Sequence, residues 1–387
     1  MTFLGGFLKM KFVIKKQHLL KNIQYVVNAI SSRTVIPILT GMKIDVRNNH
    51  VILTGSNSDI TIQAHIPQKI DDEEVITNMR EGTIILPVPH FPEIIKKLPE
   101  ELVEITVDDE LKATIRSGHA VFSLNGQSSE EYPQLPPFQS DDTFEISINN
   151  LKTLIKQTVF AVSTMETRPI LTGVNVKLEN KKLEFTATDS HRLALSSLEI
   201  EESEIDDMNI VIPGKSLQEL SKILEDTDEK INVSLMKNQI LFSTNNLFFL
   251  SRLLNGNYPE TSRLIPDHSE TTLFVDRREL IHTIERAALL ANREQNNVVR
   301  LDTKEDNIIE VSSQSPEVGY VTEELNVNSF DGDDLKISFS SKYMLDTLKT
   351  IENEEVQINF TGAMRPFIIK VPNNESILQL ILPVRTF

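Results

Sequence analysis

Pro37-Ile38-Leu39-Thr40-Gly41 and Pro169-Ile170-Leu171-Thr172-Gly173 are the same five residues, 132 positions apart. Each is preceded at the same distance by a related string, Ala29-Ile30-Ser31-Ser32 and Ala161-Val162-Ser163-Thr164. Further on, Pro87, Phe91, Phe122, Leu124, Tyr132 and Pro133 return 126 positions later as Pro213, Leu217, Phe248, Leu250, Tyr258 and Pro259. Strings that keep register over so long a span make the repeating unit a whole domain. A fainter third copy follows, with Leu151, Ile155 and Val159 echoed by Leu280, Ile284 and Ala288, and Leu217 by Met344. Three tandem copies point to a symmetric assembly, because internal repeats describe architecture before chemistry.

The 387 residues suit two or three domains of ordinary size, in agreement with the repeat. A chain 40% hydrophobic and 25% charged folds in water, and no apolar run approaches the ~20 residues that span a bilayer. With no cysteine there are no disulfides, thiolate metal sites or cysteine nucleophiles, and a reducing cytosol is the default location. Residues 1–9 precede a second methionine, Met10, lack the features of a signal peptide, and read as a leader or upstream extension. Domain boundaries are expected at 10–137, 138–266 and 267–387, with breaks at the proline-rich 132–137 and at Asn255 to Pro266.

Each copy reads as helix, strands, helix, strands. Leu19, Leu20, Ile23, Val26, Val27 and Ile30 form a helical apolar stripe. Lys43 to Asp45 and Val51 to Thr54 alternate as strands around an Asn48-Asn49 turn. A second helix is expected over Pro89 to Leu98, stopped by Pro99, and then strands Val103 to Val107, Lys112 to Ser117 and Ala120 to Leu124. The later helices are expected at Asn149 to Ser163, Gly214 to Leu224, Arg277 to Asn292 and Ser341 to Ile351.

The net charge of −17 speaks against nucleic acid only until its distribution is considered. Acid gathers in loop-like segments such as Asp71-Asp72-Glu73-Glu74, Glu199 to Asp207 and Asp331 to Asp334, the solvated edges of the fold. Lys21, Lys96, Lys97, Lys152, Lys156, Lys215, Lys222, Arg277, Arg278, Arg286, Lys342 and Lys349 instead lie on the helices. Singly each is a solvated side chain. Their recurrence on equivalent elements suggests a shared cationic surface.

Catalytic chemistry finds no foothold. The eight histidines include no pair at the spacing that puts two ligands on one helical face, and no glycine-rich phosphate loop is present. Thr188-Asp189-Ser190-His191-Arg192 gathers Ser, His and Asp, but triad members usually come from separate segments, and no nucleophile elbow accompanies them. In the first copy the corresponding Ser56-Asn57-Ser58-Asp59 lacks both His and Arg, so the stretch breaks the repeat and marks a candidate functional site.

The repeated PILTG strings, Ala187 to Leu193 (ATDSHRL), Asn257 to Pro266 (NYPETSRLIP) and the terminal LILPVRTF together resemble the bacterial sliding clamp family, the beta subunit of DNA polymerase III. The resemblance runs from Met10 to Phe387, with its motifs in order. It implies an α+β fold of three tandem clamp domains, each of two helices plus antiparallel sheets. It further implies a head-to-tail homodimeric ring whose helices line a hole for double-stranded DNA, held without regard to sequence. The implied function is that of a processivity factor, with no catalysis, cofactor or metal. Its partners would be the polymerase III alpha subunit, a clamp loader, other polymerases and repair proteins carrying short clamp-binding peptides.

Carried over by position, the peptide pocket between the second and third domains comprises Leu171, Thr188, Ser190, His191, Arg192, Leu193, Pro259, Arg263, Leu264, Ser340, Tyr343, Met364, Pro366, Leu380, Ile381, Leu382, Pro383, Val384 and Arg385. Leucines, Met364 and the prolines would form an apolar trough, with His191, Arg192, Arg263 and Arg385 fixing the polar ends of a peptide. The resemblance turns Arg33, Arg168 and the helix lysines toward DNA, and sets Phe122 and Leu124 against Leu289 and Leu290 at the subunit interface. Two departures accompany it. Arg168-Pro169-Ile170 stands where some relatives have paired aromatics, and His90, His119 and Val121 stand where some have basic residues near the interface.

Overall fold

The computed structural model describes residues 8–133, 142–201, 203–291 and 297–385. Two compact units account for them: Met1–Ile148 with Glu219–Leu253, and Asn149–Gln218 with Leu254–Phe387. The three sequence copies therefore do not coincide with the two units. The cause lies in the two largest sheets, each of which runs unbroken through a boundary between copies.

In the first unit an eight-stranded antiparallel sheet has the order Thr143–Ser147, Lys230–Met236, Gln239–Ser243, Leu247–Arg252, Ile60–Pro67, His50–Ser56, Gly41–Arg47, Gly82–Pro87. Leu247↔Ala64 through Ser251↔Ile60 is the seam where the second copy joins the first. A five-stranded sheet runs Ala120–Asn125, Lys112–Ser117, Leu102–Val107, Met10–Lys15, Ile76–Arg80. The expected hairpin is present, with Arg47 opposite His50 and Asn48-Asn49 as its two-residue turn.

The second unit repeats the plan. Its nine-stranded sheet runs Asp207–Pro213, Gly173–Glu179, Lys182–Thr188, Arg192–Glu199, Asn374–Ile381, Phe367–Val371, Glu355–Phe360, Thr271–Asp276, Ser329–Gly332. The seam here is Arg192↔Ile381 through Ser196↔Ile377, between the second and third copies. A four-stranded sheet has the order Gly319–Asn326, Ile308–Ser315, Val298–Lys304, Lys336–Ser340.

Six α-helices lie among the described residues, at the expected places: α1 Lys16–Val26, α2 Phe91–Lys97, α3 Ile148–Thr158, α4 Gly214–Ile223, α5 Arg277–Ala291 and α6 Ser341–Leu348. The expected end of the fifth, Asn292, falls outside the described residues, as does much of the proline-rich break after Pro133. Leu19, Ile23 and Val26 of α1 are fully buried, the stripe that the 3.6-residue period requires. α2 has Glu93 in its first turn and Lys96 and Lys97 in its last, each favourable to the helix dipole. It ends with Leu98 in the extended conformation that a following proline imposes.

The repeated PILTG string is a 3-10 turn that begins on proline and feeds a strand beginning on glycine, Pro37–Thr40 into Gly41 and Pro169–Thr172 into Gly173. Proline fixes the first turn, and glycine is retained because of close approach. A Cβ on Gly41 would lie 2.4 Å from Ile85 Cγ2, and one on Gly173 2.6 Å from Val211 Cγ1. No helix among the described residues is long and apolar enough to cross a membrane.

Candidate functional site

The stretch that breaks the repeat is a tight turn between two strands of the nine-stranded sheet. Lys182–Thr188 ends, Ser190 adopts a positive φ of 78°, and the chain re-enters the sheet at Arg192. Asp189 holds the turn: its Oδ1 accepts from the backbone N–H of His191 (2.9 Å) and of Arg192 (3.1 Å). Thr188 closes it, its hydroxyl donating to the carbonyl of Arg192 at 2.6 Å and accepting from the N–H of Ser190 at 3.2 Å. Asp189 is thus engaged with backbone and with Arg192 rather than with the imidazole of His191, and the turn is a scaffold rather than a triad.

Arg192 is the centre of the site, its side chain only 7% exposed. Nε donates to Asp189 Oδ2 at 3.1 Å, one terminal nitrogen to Asp346 Oδ2 on α6 at 2.8 Å, and the other to the carbonyl of Phe160 at 2.7 Å, just beyond α3. Its plane is flanked by the rings of Tyr343, 4.5 Å away, and Phe160, 5.1 Å away. A guanidinium satisfies such a set because its donors fan out in one plane while its faces remain available for rings. Arg192, expected to fix a polar end of a peptide, also has a part within the fold. Its three nitrogens are used inside the fold, and it ties the turn to α6 and to the segment that follows α3.

Tyr343, half-buried on α6, stands between Arg192 and His191, whose ring lies 6.4 Å from it in a near-parallel arrangement. Burial pushes the Tyr343 phenol above its usual pKa, aided by Asp189 and opposed by Arg192. On the other side of the turn Leu382 donates its N–H to the carbonyl of His191 at 2.9 Å, and Val384 donates to Ser338 at 2.7 Å. The terminal segment is therefore pinned beside the turn by backbone bonds, leaving the side chains of Leu382, Pro383 and Val384 half-buried and Arg385 exposed.

Leu193, Leu380 and Ile381 are buried in the adjoining seam, Ser340 is buried at the end of its strand, and Leu171 is 5% exposed in its 3-10 turn. The exposed apolar residues are Met364 at 55% and Leu264 at 53%, with Pro366 half-buried next to Phe367, which pairs with Ile381. Pro259 is exposed and is placed by its neighbour Tyr258, whose oxygen accepts from the N–H of Thr188 at 3.0 Å. Arg263 is paired with Glu260 at 3.1 Å on the surface. Phe160 and Asp346 are the members that sequence reasoning missed, while Asp189 and Tyr258 lay in stretches it singled out without being assigned to the site. Of the first two, Asp346 alone left a trace, three positions after Tyr343 and so on the same face of α6.

The helix lysines divide into two groups. Lys21 pairs with Glu225 at 2.7 Å, Lys156 with Glu352 at 2.8 Å and Lys222 with Glu219 at 2.8 Å. Lys96, Lys97, Lys215, Lys342, Arg33 and Arg168 are exposed and carry no ion pair among the described residues. Lys152 is half-buried. The apolar quartet also lies at the surface in part: Phe122 is 39% exposed and Leu289 69%, while Leu124 and Leu290 are half-buried.

Comparison with known proteins accords with this architecture. Residues 10–136, 145–260 and 262–385 match the N-terminal, central and C-terminal domain models of the DNA polymerase III beta subunit. The beta sliding clamp of Bacillus subtilis is 51% identical over 378 residues, 98% of this chain and 100% of that protein. The crystal structure of the B. subtilis DNA polymerase sliding clamp superposes with a TM-score of 0.95 at 51% identity, over 98% of this chain and 100% of that one. A sliding clamp from Pseudomonas aeruginosa bound to griselimycin is similar with a TM-score of 0.90 at 26% identity, over 99% and 100% of the two chains. With all three of its domain models matched in order and a relative sharing half its residues end to end, the chain belongs to the DNA polymerase III beta subunit family, the sliding clamps.

Proposed function

We propose that two copies of this chain close head to tail into a ring around duplex DNA, and that the region built on Arg192, His191, Tyr343 and Leu382 takes the short peptides by which polymerases and other replication and repair proteins attach. Membership of the family makes the chain a processivity factor in DNA replication and not an enzyme.

One observation carries the ring. The edge strand Ile60–Pro67 of the first copy is covered by Leu247–Arg252 of the second, and Arg192–Glu199 of the second by Asn374–Ile381 of the third. By repeat register the same relation assigns two bare edges to each chain: Ala120–Asn125, which has no earlier copy to cover, and Gly319–Asn326, which has no later copy to cover it. Both are terminal strands of their sheets, among the described residues. An open edge displaying Val121 at 56% and Phe122 at 39% exposure favours pairing. A head-to-tail contact must close or polymerise, and two chains of three copies close on six. The domain limits 10–137, 138–266 and 267–387 and a cytoplasmic location belong to this reading.

A ring retains DNA by topology, so its contacts need only be weak and sequence-independent, a task suited to scattered exposed cations. The peptide site combines buried leucines with the exposed Met364 and Leu264, the mixture a short apolar peptide needs. The griselimycin complex of the P. aeruginosa clamp is consistent with a ligand-accepting surface in this fold. The deciding experiment pairs native mass with retention on DNA. A species near twice 43.9 kDa that stays on circular DNA and runs off linear DNA is expected. A monomer at micromolar concentration, or equal retention on both DNAs, would overturn the ring.

A further inference from the structure

The repeat builds one ion pair twice, at the same kind of joint. In the first unit Lys21 Nζ on α1 lies 2.7 Å from Glu225 Oε1, and the Tyr25 hydroxyl donates to the same oxygen at 2.6 Å. In the second, Lys156 Nζ on α3 lies 2.8 Å from Glu352 Oε1. In each case a lysine on the first helix of one copy grips a glutamate just beyond the second helix of the next. The glutamates are equivalent, since Glu225 follows the buried Leu224 as Glu352 follows the buried Ile351. Both carboxyls sit below their usual pKa because of the hydrogen bond from the lysine.

Aligning the three first helices on Leu19, Leu151 and Leu280 sets Lys21 level with Thr153 and His282, and Gln24 level with Lys156 and Glu285. The two levels are three residues apart and share a helical face. On α1 and α3 one of them carries the lysine, whereas on α5 neither does. His282 is exposed, Glu285 is held by Lys349 at 2.8 Å, and the next residue, Arg286, is paired with Glu323. The acidic half is displaced by one residue: beyond α2 the buried Leu98 is followed by Pro99, at the position of Glu225 and Glu352, and then by the exposed Glu100 and Glu101. Glu101 lies 3.9 Å from Lys15, while Glu100 has no ion pair among the described residues.

We infer that the joint between two copies of this chain, where α5 of one meets the segment after α2 of the other, lacks the lysine–glutamate staple that locks both joints within the chain, with His282 in the lysine's place opposite Glu100 of the second copy. The inference rests on the ring reading. It makes the contact between subunits the one joint of the three without a lysine at this level.

The test is to supply the staple. His282→Lys, at an exposed helical position, should tighten the dimer about two- to thirty-fold in Kd, because each of two symmetric joints gains one exposed pair. Sedimentation of a dilution series reads this directly. In His282→Lys combined with Glu100→Gln the gain should vanish. A dimer no tighter than wild type, or a gain that survives Glu100→Gln, would overturn the inference. A wild-type chain that is monomeric at micromolar concentration would overturn the ring itself, before any variant is compared.

Discussion

The guanidinium of Arg192 lies 4.5 Å from the centre of the Tyr343 ring, although 151 residues separate them in sequence. Asp346 and the carbonyl of Phe160 hold the guanidinium there, so Tyr343 is presented on a fixed support. Replacing Arg192 by alanine strands two acceptors on Asp189 and Asp346 and removes the support. A loss of about 3 kcal/mol in urea unfolding is expected, since breaking a buried pair costs several kcal/mol. Arg192→Lys keeps the charge but not the planar fork, and should retain most of the stability while losing peptide binding. Equal peptide affinity in the lysine variant would show that the stacking has no part in recognition.

Leu382 and Val384 are anchored through their backbone N–H groups, which substitution leaves in place. Their half-buried side chains are therefore available to a ligand without being needed for the fold. Changing both to alanine should weaken a clamp-binding peptide by about 1–3 kcal/mol in calorimetry, the value of the methyl groups lost from a largely apolar contact. Dimer mass should not change. Unaltered affinity with the dimer intact would place the pocket elsewhere.

What the sequence made legible was local or repeated. The Asn48-Asn49 turn, the ends of α2 and the doubled PILTG string each follow from neighbouring residues, and the structure has them where the period and the prolines put them. The distant partners of Arg192 were not legible, because Asp346 is 154 positions away, in the third copy, and the carbonyl of Phe160 lies 32 positions before it. The same limit applied to charge. A lysine on a helix reads as a free cation until the fold brings Glu225 or Glu352 to it. The proposed peptide site was read in sequence from broken symmetry and resemblance, not from chemistry.

The division of the lysines has a consequence for DNA. Lys96, Lys97, Lys215 and Lys342 should each contribute to a salt-dependent association, and removing a lysine that meets a phosphate should reduce the slope of log K against log salt by about 0.9. Lys21, Lys156 and Lys222 already neutralise carboxylates, so their alanine variants should leave that slope nearly unchanged. Association measured by fluorescence anisotropy over a salt series separates the groups. Slopes altered equally by both would refute the distinction.

Gly55 lies in the strand His50–Ser56 under α1, and its counterpart in the second copy is Ala187. A Cβ at Gly55 would come within 2.6 Å of the carbonyl oxygen of Val26 and 2.7 Å of Ile30 Cγ1. Backbone cannot yield as a flexible side-chain end can. Gly55→Ala should therefore destabilise the first unit by about 1–3 kcal/mol, the usual cost of overpacking. Thermal unfolding checks it, and a variant as stable as wild type would mean that α1 packs less closely than the structure has it.

His65 gives a pH dependence whose sign can be worked out. Burial, and secondly the charge of His50, lower its pKa to about 4; its ring stacks on that of His50 at 5.7 Å and lies tilted against Phe248 at 4.8 Å. Its Nε2 is 2.9 Å from Gln63 Oε1. In the unfolded chain the imidazole titrates near 6.5. Between the two values the unfolded state binds a proton that the folded state refuses, so stability falls as the pH is lowered from about 6.5 to about 4 and then levels off. Above 6.5 both states are neutral and the group contributes nothing to the pH dependence. Urea midpoints taken from pH 7 to pH 4 should therefore fall more steeply in wild type than in His65→Asn, which is uncharged throughout. Parallel profiles for the two proteins would mean that His65 accepts its proton in the folded state, against the burial described for it.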